Sequence, residues 1–185
     1  QIETQIETQI ETQWIGVDNL EQVNGEIVSR FFGEPSKAMT IIGVTGTDGK
    51  TSVTHLVTQA LMRLNKITAS IGTIGYGVGN KRQPITHTTP DAITLQSYLH
   101  EFQEQQCEYV VMEVSSHALD QYRVSGCDFD IAVLTNLGRD HLDYHGTRQA
   151  YAAAKERLFH DFELSAKVVN TDDEFGRSLC EPVET

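Results

Sequence analysis

The sequence predicts an α/β fold, a doubly wound and mostly parallel sheet with a phosphate-loop-like turn. Three observations carry that expectation. The β-favouring run Ile41-Ile42-Gly43-Val44 enters a glycine-rich turn, Thr45-Gly46-Thr47-Asp48-Gly49, and leaves it through Lys50-Thr51-Ser52 into a helical pattern. Strand-length apolar runs then alternate with segments of helical period, the signature of strand–helix–strand units. The run Tyr109–Val114 is almost continuously apolar, as a strand covered on both faces requires.

Taken in order, residues 1–13 read QIETQIETQIETQ, a four-residue repeat expected to be a disordered low-complexity leader. Residues 14–39 hold one amphipathic piece, Leu20 to Phe32, broken by Gly33-Glu34-Pro35-Ser36, and read as a remnant of a preceding domain and its linker. The main domain spans 40–185. It opens with a strand over Thr40–Thr45 and a helix over Lys50–Asn65, on which Val53, Leu56, Val57, Ala60, Leu61 and Leu64 recur at helical spacing. A strand over Ile67–Ile71 precedes a Gly- and Thr-rich loop, Gly72–Thr89, with a short hairpin expected around Gly79-Asn80. Asp91–Gln106 is a helix that half buries Ile93, Leu95, Tyr98, Leu99 and Phe102. Strands over Tyr109–Val114 and Phe129–Thr135 follow, then an Ala-rich helix over Thr147–Phe159 and a last strand over Ala166–Asn170.

With 26 acidic and 14 basic residues among 185, the net charge of −12 argues against general nucleic-acid binding, which works by neutralising phosphate. No apolar run reaches membrane-span length, and the polar N-terminus does not read as a signal peptide. Cys107, Cys127 and Cys180 lack paired spacing and read as reduced thiols of a cytoplasmic protein.

The candidate site falls at the carboxyl ends of the strands, where open α/β sheets bind ligands. Gly46 and Gly49 allow a tight turn and close approach of the backbone, whose amides can point at phosphate oxygens. Lys50 adds positive charge, and the Thr51 hydroxyl suits a magnesium ion. Val44 stands where the strict eight-residue loop has glycine, so only its second half matches. Glu113 closes its strand as a magnesium ligand or water orienter and is followed by Ser115-Ser116-His117. Thr135–His145 packs Asp140, His141, Asp143 and His145 into six positions. Residue types alone allow zinc there, but a magnesium–phosphate site with one imidazole fits better, because no further compact cluster supplies Cys or His partners. Lys155, by spacing alone, is a surface lysine on a helix.

The segments TGTDGKT (45–51), HTTPD (87–91), EVSSHALDQYRV (113–124), TNLGRDHLDYHG (135–146), YAAAKERLF (151–159) and VVNTDDEFGR (168–177) occur in that order. Together they closely resemble the Mur ligase family. Within it they resemble the MurE type, which adds the third stem-peptide residue to UDP-N-acetylmuramoyl-L-alanyl-D-glutamate. The resemblance covers roughly residues 27–182 and implies ATP-dependent amide formation through an acyl phosphate, with ATP and Mg²⁺ bound. It implies that Gly46, Thr47, Asp48, Gly49, Lys50, Thr51 and Ser52 cradle ATP, and that Thr51, Glu113 and His141 hold magnesium. His87, Thr88, Thr89, Ser115, Gln121 and Arg123 fall where the family holds the UDP-muramoyl dipeptide. Lys155 matches the lysine that the family carbamylates, which turns a cation into a second anionic metal ligand. Lys50, His141 and Lys155 are thus the catalytic set.

Asp48 stands where the loop usually has Asn, and Gly138 where Ser or Thr is usual. Family enzymes have three domains. By that standard the central domain stops here before its last strands and the C-terminal domain is absent, so the incoming amino acid, diaminopimelate or lysine, is not legible. An incomplete sheet is expected to self-associate through its edge. Two other readings compete: a ligase of the folylpolyglutamate or cyanophycin type, and a non-catalytic nucleotide-binding module.

Overall fold

The computed structural model describes residues 16–180, so the expected leader at 1–13 lies outside the described residues. Six strands, β1 (Thr40–Thr45), β2 (Thr68–Gly72), β3 (Gly75–Val78), β4 (Tyr109–Glu113), β5 (Ile131–Leu134) and β6 (Ala166–Val169), form one sheet of order β3-β2-β4-β1-β5-β6. Only the β2–β3 pair is antiparallel; β2–β4, β4–β1, β1–β5 and β5–β6 are parallel. β1 lies near the centre with its carboxyl end between those of β4 and β5, which puts the glycine turn at the most enclosed point of the strand-end edge.

Among the described residues seven helices accompany the sheet: α1 (Leu20–Phe31), α2 (Lys50–Arg63), α3 (Ala92–Glu104), α4 (Ser116–Asp120), α5 (Leu142–His145), α6 (Arg148–His160) and α7 (Glu174–Ser178). A 3-10 turn, Pro35–Ala38, leads from α1 into β1. Alternate β1 residues serve opposite faces, as strand geometry dictates. Ile42 and Val44 pack with Val111 against Val53, Val57 and Leu61 of α2. Ile41 joins the larger core on the other face, with Leu95, Leu99 and Phe102 of α3 and Leu158 and Phe159 of α6. Both faces of the sheet are therefore covered, as expected of a doubly wound sheet.

The expected elements are present with ends shifted by no more than two residues, and four details differ. The loop expected over 72–89 contains β3, which turns back on β2 at Thr73-Ile74; a Tyr76–Gln83 bridge then closes a second turn around Gly79-Asn80. On α2 the sheet side carries Thr54 and Thr58, both buried, while Leu56 and Leu64 face outward at 66% and 70% exposure. Six apolar positions were too wide an arc for one face, and Leu56, Ala60 and Leu64 form the outer line. On α3 the buried stripe is Ala92, Leu95, Gln96, Leu99 and Phe102, which leaves Ile93 outside it and exposed. On α6 the expectation of a surface lysine fails: Lys155 is 1% exposed. It lies within the stripe Tyr151, Ala154, Lys155, Leu158, Phe159, spaced i, i+3, i+4, i+7 and i+8.

Candidate functional site

The turn after β1 is held by the loop after β5. Thr47 N–H donates to the Asn136 carbonyl (2.9 Å) and Asp48 N–H to Asn136 Oδ1 (3.1 Å). Asn136 Nδ2 and Thr135 Oγ1 both donate to the Asp48 carbonyl, at 3.1 and 2.6 Å. Gly46 has φ +142°, and a Cβ there would lie 1.9 Å from Thr135 Oγ1, so glycine is needed for both conformation and approach. The loop then enters α2 through Gly49, and no side chain caps that helix. Its first-turn amides are thus offered to an anion, with the helix dipole aligned to favour one.

Two lysines converge on this turn. Lys50 Nζ donates to the carbonyls of Gly46 and Thr47, both at 2.9 Å, and Lys155 Nζ donates to the same Gly46 carbonyl at 2.8 Å. Lys155 also lies 4.5 Å over the Tyr151 ring. Burial, reinforced by the Lys50 charge and partly offset by Asp140, pulls the Lys155 ammonium down to about 7. Burial likewise lowers Lys50, against the pull of Glu113, Asp48 and Asp140.

Glu113, 1% exposed, is the carboxylate of the site. Its Oε2 accepts from Thr51 Oγ1 (2.9 Å) and Thr73 Oγ1 (3.2 Å), and its Oε1 accepts from Thr73 N–H (2.8 Å). A Cβ on Gly72 would meet Oε1 at 2.3 Å, so the neighbouring strand is cleared for this carboxylate. All of its described donors are neutral. A buried anionic oxygen beside a hydroxyl, next to an anion-ready helix end, is the donor set that a Mg²⁺–phosphate pair takes. Among the described residues no three His, Cys, Asp or Glu side chains converge as a metal centre. The side chains placed to hold a magnesium ion here are Thr51 and Glu113.

His141 makes its described contacts with Asp140, His117 and Tyr151. It adopts φ 52° at the start of α5, its Nε2 is 3.3 Å from Asp140 Oδ2, and its ring meets those of His117 (4.7 Å) and Tyr151 (6.2 Å). His145 Nε2 pairs with Ser116 Oγ at 3.0 Å. Burial, with the neighbouring imidazoles and Arg123, lowers His117.

The expected substrate residues other than His87 form a connected set beside Glu113. Thr89 Oγ1 donates to the Glu113 carbonyl (2.9 Å) and accepts from Ser115 N–H (3.0 Å). Arg123 Nη1 donates to the Thr89 carbonyl (3.3 Å), Arg123 Nη2 bonds Gln121 Oε1, and Gln121 Nε2 donates to Tyr144 OH (3.0 Å). Thr88 reaches Thr73 through their hydroxyls at 3.1 Å. Ser115 Oγ is engaged in capping α4 through Ala118 N–H (3.1 Å). His87 and Ser52 lie exposed. Sequence reasoning gave no role to Thr73, Thr135, Asn136 or Tyr151. Thr135-Asn136 had a signal, standing directly after a strand, and Tyr151 had one in lying four residues before Lys155; Thr73 had none.

Fold and loop define the class first: a mostly parallel α/β domain whose central strand ends in a phosphate-loop-type turn. The family follows from comparison, since the Mur ligase middle domain matches residues 44–184, and the chain belongs to that family. It is 50% identical over 166 residues to the UDP-N-acetylmuramoyl-L-alanyl-D-glutamate--2,6-diaminopimelate ligase of Pseudomonas syringae pv. tomato, covering 90% of this chain and 34% of that protein. To the ligase of the same name from Pseudomonas putida it is 54% identical over 155 residues, 84% of this chain and 31% of the other. A solved structure of a UDP-N-acetylmuramoyl-L-alanyl-D-glutamate--2,6-diaminopimelate ligase superposes with TM-score 0.80 at 40% identity, over 91% of this chain and 36% of that one. Mycobacterium tuberculosis folylpolyglutamate synthase complexed with ADP shares the fold at 16% identity, TM-score 0.67, over 90% of this chain and 44% of that one. The chain thus spans about a third of the length of the curated relatives it matches.

Proposed function

We propose that this chain is the nucleotide-handling portion of a cytoplasmic, ATP- and Mg²⁺-dependent ligase of peptidoglycan precursor synthesis. That ligase joins an amino acid to UDP-N-acetylmuramoyl-L-Ala-D-Glu. The observation that carries the reading is Lys155. An ammonium on a buried helix stripe is costly, and here it is aimed at the same loop carbonyl as Lys50. Its depressed pKa leaves a large neutral fraction near pH 7, and a neutral amine is what takes up CO₂ to form a carbamate. The nitrogen lone pair bonds the CO₂ carbon and a proton is released, which replaces one of two repelling cations by an anion beside a magnesium site.

In this reading the α2 amides and Lys50 hold the triphosphate, while Thr51 and Glu113 hold magnesium, which when bound neutralises phosphate charge. His141 joins the metal set from the histidine cluster. His87, Thr88, Thr89, Ser115, Gln121 and Arg123 face the UDP-muramoyl dipeptide, with Arg123 supplying a cation for its carboxylate or phosphates. Residues 40–185 are part of the central domain, and 14–39 belong to the segment that precedes it. The names of the relatives favour diaminopimelate as the incoming amino acid.

The test is calorimetric titration of MgATP into this chain and into Lys50→Ala. Millimolar or tighter binding, lost in the variant, supports the reading. Absence of binding in a folded chain defeats it for this portion. A ¹³C carbamate resonance in ¹³CO₂-equilibrated protein, absent from Lys155→Met, tests the lysine separately.

A further inference from the structure

We propose that Tyr151 is a positioning residue for the phosphate loop: its hydroxyl fixes Thr47, and through Thr47 it ties α6 to the loop that carries Gly138. The bearing of this tie on nucleotide rests on the phosphate-loop reading above, whereas the tie itself does not.

Tyr151 is 1% exposed and heads the buried stripe of α6. A buried tyrosine needs a partner for its hydroxyl, and phenylalanine would fill the same volume without that need. Here the partner is a loop residue, since Tyr151 OH lies 2.9 Å from Thr47 Oγ1. Thr47 Oγ1 in turn accepts the Gly138 N–H at 2.8 Å. One helical turn later, Lys155 Nζ reaches the Gly46 carbonyl. A single face of α6 thus grips two consecutive loop residues, one by its main chain and the next by its side chain.

The consequence appears when Lys50 moves. At present its Nζ is tied to the carbonyls of Gly46 and Thr47. When it turns from either carbonyl towards a phosphate, the loop loses a restraint at that residue. The ties of Thr47 that survive are its N–H to Asn136 and its hydroxyl to Tyr151 and Gly138. The Tyr151 hydroxyl is therefore placed to hold the loop while its lysine is engaged elsewhere. Gly138 fits the same account, because a Cβ there would come within 3.3 Å of Thr47 Cγ2 and press on the residue being held.

The experiment uses this chain as wild type, Tyr151→Phe, Thr47→Val, Thr47→Ser and the Tyr151→Phe/Thr47→Val double variant. Amide hydrogen exchange is read at Gly138 and, as a control on global stability, in β1 and β4. The expected result is about fivefold faster exchange at Gly138 in Tyr151→Phe and Thr47→Val, the scale of one net hydrogen bond, with β1 and β4 unchanged and Thr47→Ser like wild type. Thr47→Val keeps the test open if the core variant folds poorly. Unchanged Gly138 exchange in Thr47→Val, or in a folded Tyr151→Phe, overturns the tie. With MgADP as probe, Tyr151→Phe should bind about fivefold more weakly, and the double variant no more weakly than Thr47→Val alone, because the Tyr151 hydroxyl acts only through Thr47. Equal MgADP binding by wild type and Tyr151→Phe overturns the positioning role. A wild type that binds no MgADP defeats the phosphate-site reading instead, and Gly138 exchange still decides the tie.

Discussion

Gly46 and Gly49 share a loop but meet different demands. Gly46 combines φ +142° with a neighbour 1.9 Å from where a Cβ would stand, whereas Gly49 has φ +82° and nothing closer than 3.9 Å. Gly46→Ala should therefore displace Thr135 and the whole turn, at a cost of about 2–4 kcal/mol, and abolish MgATP binding. Gly49→Ala should cost only about 1 kcal/mol of backbone strain. Urea melts of the two variants check the difference, and equal losses would refute it. Lys155 supplies a pH prediction. Its folded-state pKa of about 7 lies below the roughly 10.4 of an unfolded lysine, so between those values the unfolded chain binds more protons than the folded one. The lysine's penalty is fully present below pH 7 and is relieved as pH rises, by at most about 1.4 kcal/mol per pH unit. In carbonate-free buffer Lys155→Met should thus be more stable than wild type at pH 6, with the gap narrowing towards pH 9.5. A gap that is constant with pH would show that the lysine does not titrate in this way.

At the scale of the element, α1 approaches the segment 122–126 backbone to backbone at Gly25. A Cβ on Gly25 would lie 1.8 Å from the Ser125 carbonyl oxygen, and Gln22 Nε2 donates to Tyr122 OH nearby at 3.1 Å. Gly25→Ala improves helix propensity by about 1 kcal/mol, yet the clash with backbone should win and lift α1 from the segment 122–126. Limited proteolysis should then cut within 20–33 faster than in wild type, and equal cleavage rates would refute the close packing. Elements were legible in the sequence where a single periodicity ruled, as for β1, β4 and α3, and where chemistry sat at a strand end, as for Glu113. They were less legible where the sheet-facing side of a helix is polar. Thr54 and Thr58 occupy that side of α2, so counting apolar residues chose too wide a face. Lys155 was misplaced by its charge, although Tyr151, Ala154, Leu158 and Phe159 already marked its position as interior. The short helices α4, α5 and α7 carry too few turns for any period to register, and their starts are set by Ser115, His141 and Asp173 at strand-end loops.

For the whole molecule, the two edges of the sheet are not equivalent. The β3 edge is partly closed by the segment that returns to pair Gln83 with Tyr76. The β6 edge, Ala166–Val169, shows three of four residues exposed, and Val168 presents 53% of its surface. Among the described residues no strand pairs with this side of β6, and such an edge with an apolar side chain is a template for another strand. Lys167 is its one built-in charge, and the net charge of −12 repels a second copy over distances longer than the screening length. The two effects have different ranges, which gives the prediction its direction. Self-association through β6 should be weak at low ionic strength and strengthen as salt shortens the Debye length to about 8 Å near 0.15 M. Val168→Lys should suppress it at both salt concentrations, because it adds a charge on the edge itself. Sedimentation velocity across a concentration series distinguishes these outcomes. A wild type that stays monomeric at high salt would mean that four residues of free edge are too short to recruit a partner, and an association untouched by Val168→Lys would place the contact on another surface.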